Sequence, residues 1–410
     1  MVDHTAHFAD SLPAGPWRRV AAGTGLLDAD GGLAATVFTE MTQLALQTGS
    51  INLGQGFPDA DGPIEVLEAA RQAIAAGVNQ YPPGPGATEL REAIAEHQHR
   101  FYGVNVDAGG EVLVTTGATE AIAATLLALV TPDDEVVTLD PSYDAYSAII
   151  ALTGARHVRV PLTPPLFTLD LDRLAAAVTP RTRIILINNP HNPTGTVLDR
   201  DTLAGIVRIA EANDALVVTD EVYEHLVFDG AVHTTLASIP GAFERSVTIS
   251  SAGKTFSTTG WKIGWAIGPK ALISAVQTVK QFLTFTTGAP FQPAIATGLR
   301  LPDAVFNGVR DQLQQSRDIL VEGLNAADLT TRPAPATYFA VADTSALGWP
   351  DATALARELP AKVGVVAIPL SAFAGSEHAE LYRPYLRFAF CKQQPVLRDA
   401  ATRLASLRDR

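Results

Sequence analysis

The stretch "SSAGKTFSTTGWKIGW", residues 250–265, admits two readings that imply different folds. Gly253, Lys254 and Thr255 match the end of a nucleotide P-loop, GxxxxGK[ST], in which two glycines shape the phosphate cradle. The first of them would fall at position 248, and Thr248 stands there, inside the apolar run "SVTIS". The second reading takes Lys254 as the covalent anchor of an aldehyde cofactor. That chemistry asks for phosphate-binding and ring-binding groups converging on the lysine from elsewhere in the chain.

Outward from this stretch, short β-rich runs alternate with helical patterns. The runs are "EVLVTT" (111–116), "EVVTL" (135–139), "RIILIN" (183–188), "ALVVTD" (215–220) and "SVTISS" (246–251), and helical patterns between them include "ATEAIAATLLALV" and "DTLAGIVRIAEAND". Such alternation predicts an α/β fold with a mostly parallel sheet covered by helices. Ligands of these sheets bind beyond the carboxyl ends of the strands, which singles out residues 117–120, 140–146, 189–195, 220–223 and 251–254. Further upstream, "TVFTEMTQLALQTGS" has helical spacing from Thr36 and stops at Gly49, ahead of the turn-rich "INLGQGFPD". After about residue 295 a polar helix near 309–327 and a mixture of strands and helices predict a second, smaller domain.

Bulk properties exclude several classes. At 410 residues, 47% apolar and 18% charged, the chain has an ordinary globular balance. A net charge of -13 offers no broad basic face, so no nucleic-acid partner is expected. Cys391 is the single cysteine, which excludes an intramolecular disulfide framework and a cysteine-based zinc site. It reads as a small buried hydrophobe, and no metal site is expected. No basic start followed by an apolar run opens the sequence and no span of about 18 apolar residues occurs, so no membrane association and a cytoplasmic location are expected. Residues 1–34, rich in Gly, Ala and Asp, read as a loosely held extension. The six lysines stand at 254, 262, 270, 280, 362 and 392, so the search for a lysine anchor is short.

Six stretches in order, "INLGQGFPD", "NQYPPGPGATELREAI", "TTGATEA", "NNPHNPTG", "TDEVYE" and "SSAGKTFSTTGWKIGW", carry a family resemblance over about residues 36–405. Together they resemble the fold-type I, class I aminotransferases that use pyridoxal 5'-phosphate, in the branch of the kynurenine, glutamine and methionine aminotransferases. Within it, "VNQYPPGPG" and "DEVYEHLVFD" look most like actinobacterial N-succinyldiaminopimelate aminotransferases. The resemblance implies a large cofactor-binding domain over 62–305 and a small domain built from 35–61 plus 306–410. It also implies a homodimer with shared active sites.

Roles follow from the same resemblance. Lys254 is the Schiff-base lysine and the base that moves the Cα proton; a lysine at its ordinary pKa of about 10.4 is useless for that near neutrality, so the site must lower it. Asp220 matches the aspartate that keeps the pyridine nitrogen protonated. Asn192 and Tyr223 match the donors to the ring oxygen, with Asn192 also facing substrate. Ser251, Lys262 and the backbone N–H groups of Ala118 and Thr119 match the phosphate site, where a strand turns into a helix N-terminus. Many relatives carry arginine in place of Lys262. Tyr143 matches the residue stacked on the ring, and Tyr81 the tyrosine that reaches the phosphate from the other subunit. Arg387 and the backbone of Gly56 match the grip on the substrate α-carboxylate, while Phe285 and Phe57 are candidates for an apolar side-chain pocket. His191 is given no role.

The expected activity is a ping-pong transamination between an amino acid, glutamate by preference, and a 2-oxo acid. N-succinyl-2-amino-6-oxopimelate is the favoured acceptor, on whole-sequence resemblance alone. A broader aromatic, methionine or kynurenine aminotransferase with cysteine-conjugate β-lyase side activity stands as the alternative. A non-catalytic binding protein on this fold is the remote one.

Overall fold

The computed structural model describes residues 15–27, 32–349 and 351–409. Its large domain is built on a seven-stranded sheet: β1 (Val112–Thr116), β2 (Glu135–Asp140), β3 (Arg156–Pro161), β4 (Thr182–Asn188), β5 (Leu216–Asp220), β6 (Ser246–Ser251) and β7 (Ile263–Ile267). The order across the sheet is β1-β7-β6-β5-β4-β2-β3. All neighbours are parallel except the two pairs made by β7, which runs antiparallel to both β1 and β6. The five apolar runs read from the sequence are five of these strands. Helices cover both faces, and every residue of β2 and β6 is buried, as a sheet covered on both sides requires.

The two strands that periodicity missed have identifiable reasons. β3, "RHVRVP", lies at the sheet edge with only Val160 buried, so its polar positions break the apolar run. β7, "IGWAI", is short and interrupted by Gly264. That glycine is required: a Cβ there would stand 2.5 Å from the Gly117 carbonyl carbon, so β7 passes against the turn that opens the helix Gly117–Leu129.

The small domain holds a four-stranded antiparallel sheet, β8 (Thr330–Thr331), β9 (Phe339–Asp343), β10 (Ile368–Pro369) and β11 (Tyr385–Ala389), in the order β10-β11-β9-β8. Ile51–Asn52 pairs in parallel with Val365–Val366, so segments from both ends of the chain form this domain. The helix expected from Thr36 runs Val37–Thr48. Thr36 caps it by accepting the Thr39 N–H at 3.0 Å, and Gly49 closes it in the left-handed region at φ 63°. Such a cap contributes about 1 kcal/mol. The polar helix is longer than its pattern suggested, Asp303–Ala326.

Within the expected N-terminal extension, Pro16–Gly23 form a helix that packs on the helix Asp144–Thr153; Arg19 Nε donates to the Ala151 carbonyl at 3.3 Å. Residues 1–14 and 28–31 lie outside the described residues. Among the described residues no helix is long and apolar enough to cross a membrane.

Candidate active site

The ends of β1, β4, β5 and β6 open on one cavity of about 320 Å³ between the two domains, closed on the small-domain side by Arg387 and its aromatic neighbours. Every residue given a cofactor or substrate role from the sequence lines it, except Tyr81, Phe285 and Phe57. Register explains the convergence. Asn188 at the end of β4 pairs with Asp220 at the end of β5, and Ser251 at the end of β6 faces Gly264 across β7.

Lys254 sits in the short helix Ala252–Thr255 that follows β6. Its Nζ donates to the Tyr338 hydroxyl at 2.8 Å. Burial pulls its pKa down to about 8, against the opposing pull of Cys391 and Asp220, so a substantial neutral fraction exists near neutrality. Asp220 is buried; its Oδ2 accepts from the Tyr146 hydroxyl at 2.7 Å and its Oδ1 from the Val222 N–H at 3.3 Å. Despite these donors, burial pushes its carboxyl up to about 6. A ring N–H⁺ placed beside it would restore the ionised form, which is the first respect in which the site fits a pyridine cofactor.

That cost is measurable. A carboxyl whose pKa rises on folding holds its proton more tightly in the folded chain, so stability is lost as pH rises from the unfolded value near 4 through about 6, by about 3 kcal/mol in full. In cofactor-free protein, Asp220→Asn is expected to be more stable than wild type by up to that amount at pH 7.5, with the gap closing near pH 4. Denaturant melts at the two pH values check it, and a gap independent of pH would show that the buried carboxylate is not its source.

The phosphate end fits as well. Gly117, at φ 72°, opens the helix Gly117–Leu129, and a Cβ there would lie 3.2 Å from Lys262 Nζ. An ammonium beside a helix N-terminus places two positive poles together, an arrangement that an anion held between them makes favourable. Ala118, Thr119 and Ser251 line the cavity too, and Ser251 pairs with Gly264, where a Cβ would stand 2.7 Å from the Ala118 nitrogen.

Arg387, on β11, is buried. Its Nη1 donates to Asn192 Oδ1 at 3.0 Å and its Nη2 to the Gly54 carbonyl at 2.8 Å, while its guanidinium carbon lies 3.9 Å from the Phe339 ring centroid and 4.3 Å from that of Phe373. Its Nε is buried without a partner among the described residues. Burial lowers its pKa to about 10, which still leaves a full cation at neutral pH, suited to a carboxylate. The bond to Arg387 also occupies Asn192 Oδ1, leaving the amide nitrogen as the donor available to a ligand. The backbone N–H of Asn192 is held separately, donating to Asn188 Oδ1 at 2.6 Å. Burial raises the Tyr223 hydroxyl far above its ordinary pKa, so it remains a proton donor.

Tyr81 and Phe285 stand elsewhere on the chain. Their rings meet edge-on at 5.7 Å, and Tyr81 is 84% exposed. Tyr338 and the aromatic walls Phe38, Phe339 and Phe373 were not singled out from the sequence, and Tyr146 fell within the strand-end stretch 140–146 without a role of its own; nothing local in "ATYFAVAD" marks the Tyr338 hydroxyl. Outside the cavity lining, His97, Glu224 and His225 cluster within 4.8 Å. The His97 and His225 Nε2 atoms are 2.7 Å apart, closer than the roughly 3.3 Å between two nitrogens on a tetrahedral zinc. A direct hydrogen bond accounts for the pair.

Comparison with known proteins agrees with this geometry. Residues 48–404 match the family of class I and II aminotransferases. The chain is 52% identical over 385 residues to the probable N-succinyldiaminopimelate aminotransferase DapC of Mycobacterium tuberculosis, covering 92% of this chain and 97% of the relative. It is 40% identical over 375 residues to the methionine aminotransferase of Escherichia coli, with 92% and 96% covered. The solved structure of N-succinyldiaminopimelate aminotransferase from Mycobacterium tuberculosis matches with a TM-score of 0.90 at 50% identity, over 97% of this chain and 100% of that one. The chain therefore belongs to the class I and II aminotransferases as a fold-type I, pyridoxal-phosphate-dependent enzyme, a family that sets aside the nucleotide reading of residues 250–265.

Proposed function

We propose that this aminotransferase moves an amino group from glutamate to N-succinyl-2-amino-6-oxopimelate, giving N-succinyl-LL-2,6-diaminopimelate in lysine and cell-wall precursor synthesis. The observation that carries the choice of acceptor is the 52% identity, across nearly the full length of both chains, to the probable N-succinyldiaminopimelate aminotransferase. The lone, buried Cys391 supports a reducing, cytoplasmic setting.

When bound, pyridoxal 5'-phosphate supplies an electron sink for the charge that develops at the substrate Cα. Lys254 would hold it covalently, Asp220 would keep its ring nitrogen protonated, and Asn192 and Tyr223 would donate to its ring oxygen. Tyr143 would cover one face of the ring. Ser251, Lys262 and the N–H groups of Ala118 and Thr119 would bind its phosphate. Arg387 and the Gly56 backbone grip the α-carboxylate of each substrate in turn, which aims the Cα proton at Lys254. The ping-pong sequence follows from one site serving both half-reactions.

Tyr81, exposed and carrying Phe285 against it, would complete the phosphate site of a second copy, making the active unit a homodimer. Phe285 then reaches substrate from the same patch.

Single turnovers of the pyridoxamine-loaded enzyme test the acceptor. N-succinyl-2-amino-6-oxopimelate is expected to react about 10- to 100-fold more efficiently than the keto acids of methionine or phenylalanine. Equal rates would favour the broader reading, which the 40% identity to a methionine aminotransferase and the aromatic walls Phe38, Phe339 and Phe373 support.

A further inference from the structure

We infer that Tyr338 is the positioning residue for Lys254, holding its amine by one N–H and tying it to the loop that borders the substrate carboxylate. The inference rests on Lys254 being the base of the reaction. Tyr338 is fully buried, and its hydroxyl contacts both Lys254 Nζ, at 2.8 Å, and the Gly56 carbonyl. A phenol carries one proton. The Tyr223 hydroxyl also reaches the Tyr338 hydroxyl but brings its own proton. The Gly56 carbonyl can only accept, so the Tyr338 proton goes to it, and toward Lys254 the oxygen acts as acceptor.

The consequence is directional. A neutral amine has two N–H bonds and one lone pair; with an N–H given to Tyr338, the lone pair is kept off the tyrosine and remains available to take a proton from Cα. The same hydroxyl fixes the loop. Gly54 is held by Arg387 and Gly56 by Tyr338, so the carboxylate grip and the base share one support. Gly56 permits the approach: a Cβ would lie 2.4 Å from Phe339 Cζ and 2.9 Å from Tyr338 Cε2. The Tyr338 ring is itself fixed edge-on against Tyr223 at 5.2 Å and Phe339 at 4.8 Å. The other titratable or charged groups facing the amine are Asp220, Lys262, Arg387, Cys391 and Tyr223, and none of them makes a hydrogen bond to Nζ among the described residues.

Tyr338→Phe removes the hydroxyl and keeps the ring. In the cofactor-loaded enzyme, Cα proton removal from glutamate is expected to slow about 10- to 100-fold, the effect of losing one hydrogen bond to an ionisable group, with KM for glutamate little changed. In the cofactor-free chain, labelled with ¹⁵N at its six lysine side chains, the Lys254 resonance is expected to titrate at lower pH than in wild type, because its ammonium loses an acceptor. An unchanged Lys254 titration, or a rate loss matched by an equal rise in KM, would overturn the inference. If Lys254→Ala itself kept the half-reaction, the fault would lie in the assignment of the base and not in Tyr338.

Discussion

Lys254→Ala is expected to abolish the visible absorption of the bound cofactor and to slow the half-reaction with glutamate by about 10⁴-fold or more, the upper range of general base catalysis with covalent anchoring lost as well. The size follows from what Lys254 alone combines. It lies in the cavity, its pKa is brought down to about 8 by burial, and its amine is held at one N–H by Tyr338. The cavity's other lysine, Lys262, stands at the helix N-terminus instead. It has no path to both jobs without abandoning the anion site. Lys262→Ala is therefore a useful companion: it should weaken cofactor binding while keeping the visible absorption at saturating cofactor. Survival of both absorption and half-reaction in Lys254→Ala would transfer the anchor to another of the six lysines.

Arg387→Gln is expected to lower kcat/KM about 10²- to 10³-fold for amino donor and keto-acid acceptor alike, because every substrate of the ping-pong cycle presents the same α-carboxylate. Its protein partners are neutral, Asn192 Oδ1 and the Gly54 carbonyl, and its Nε is unpartnered among the described residues. The guanidinium is thus a buried cation without a carboxylate bonded to it. Replacing a buried charge by a neutral group of similar shape is commonly neutral or stabilising. Activity and stability should separate: catalytic efficiency collapses while the melting temperature of the cofactor-free protein stays level or rises. A matching loss of stability would mean that the residue acts as a structural post between Phe339 and Phe373.

Much of the fold was legible because strand interiors and strand ends are local properties. β1, β2, β4, β5 and β6 are apolar runs closed by a Gly, Asp, Asn or Ser, and a parallel sheet turns those ends to one side. The misses were elements whose burial is one-sided or interrupted. β3 is an edge strand with four of its six residues only partly buried, and β7 carries a glycine demanded by the Gly117 carbonyl carbon 147 positions earlier. The helix Pro16–Gly23 was hidden by the Gly- and Ala-rich composition around it, since composition does not record that Ala151 offers it a surface.

By itself, the sequence determined the chemistry available: a lysine-poor chain with Lys254 after a buried strand, no first glycine for a P-loop at Thr248, and polar residues stationed at strand ends. Which of these groups meet, and in what protonation state, was decided by tertiary structure. Tyr146 reaches Asp220 across 74 residues, Tyr338 reaches Lys254 across 84, and Arg387 closes on Asn192 across 195. The physical reason is that a hydrogen bond between distant elements depends on the packing of both. The low dielectric of that packing, absent from any local pattern, brings Lys254 down toward neutrality and raises Asp220 until a cation is placed beside it.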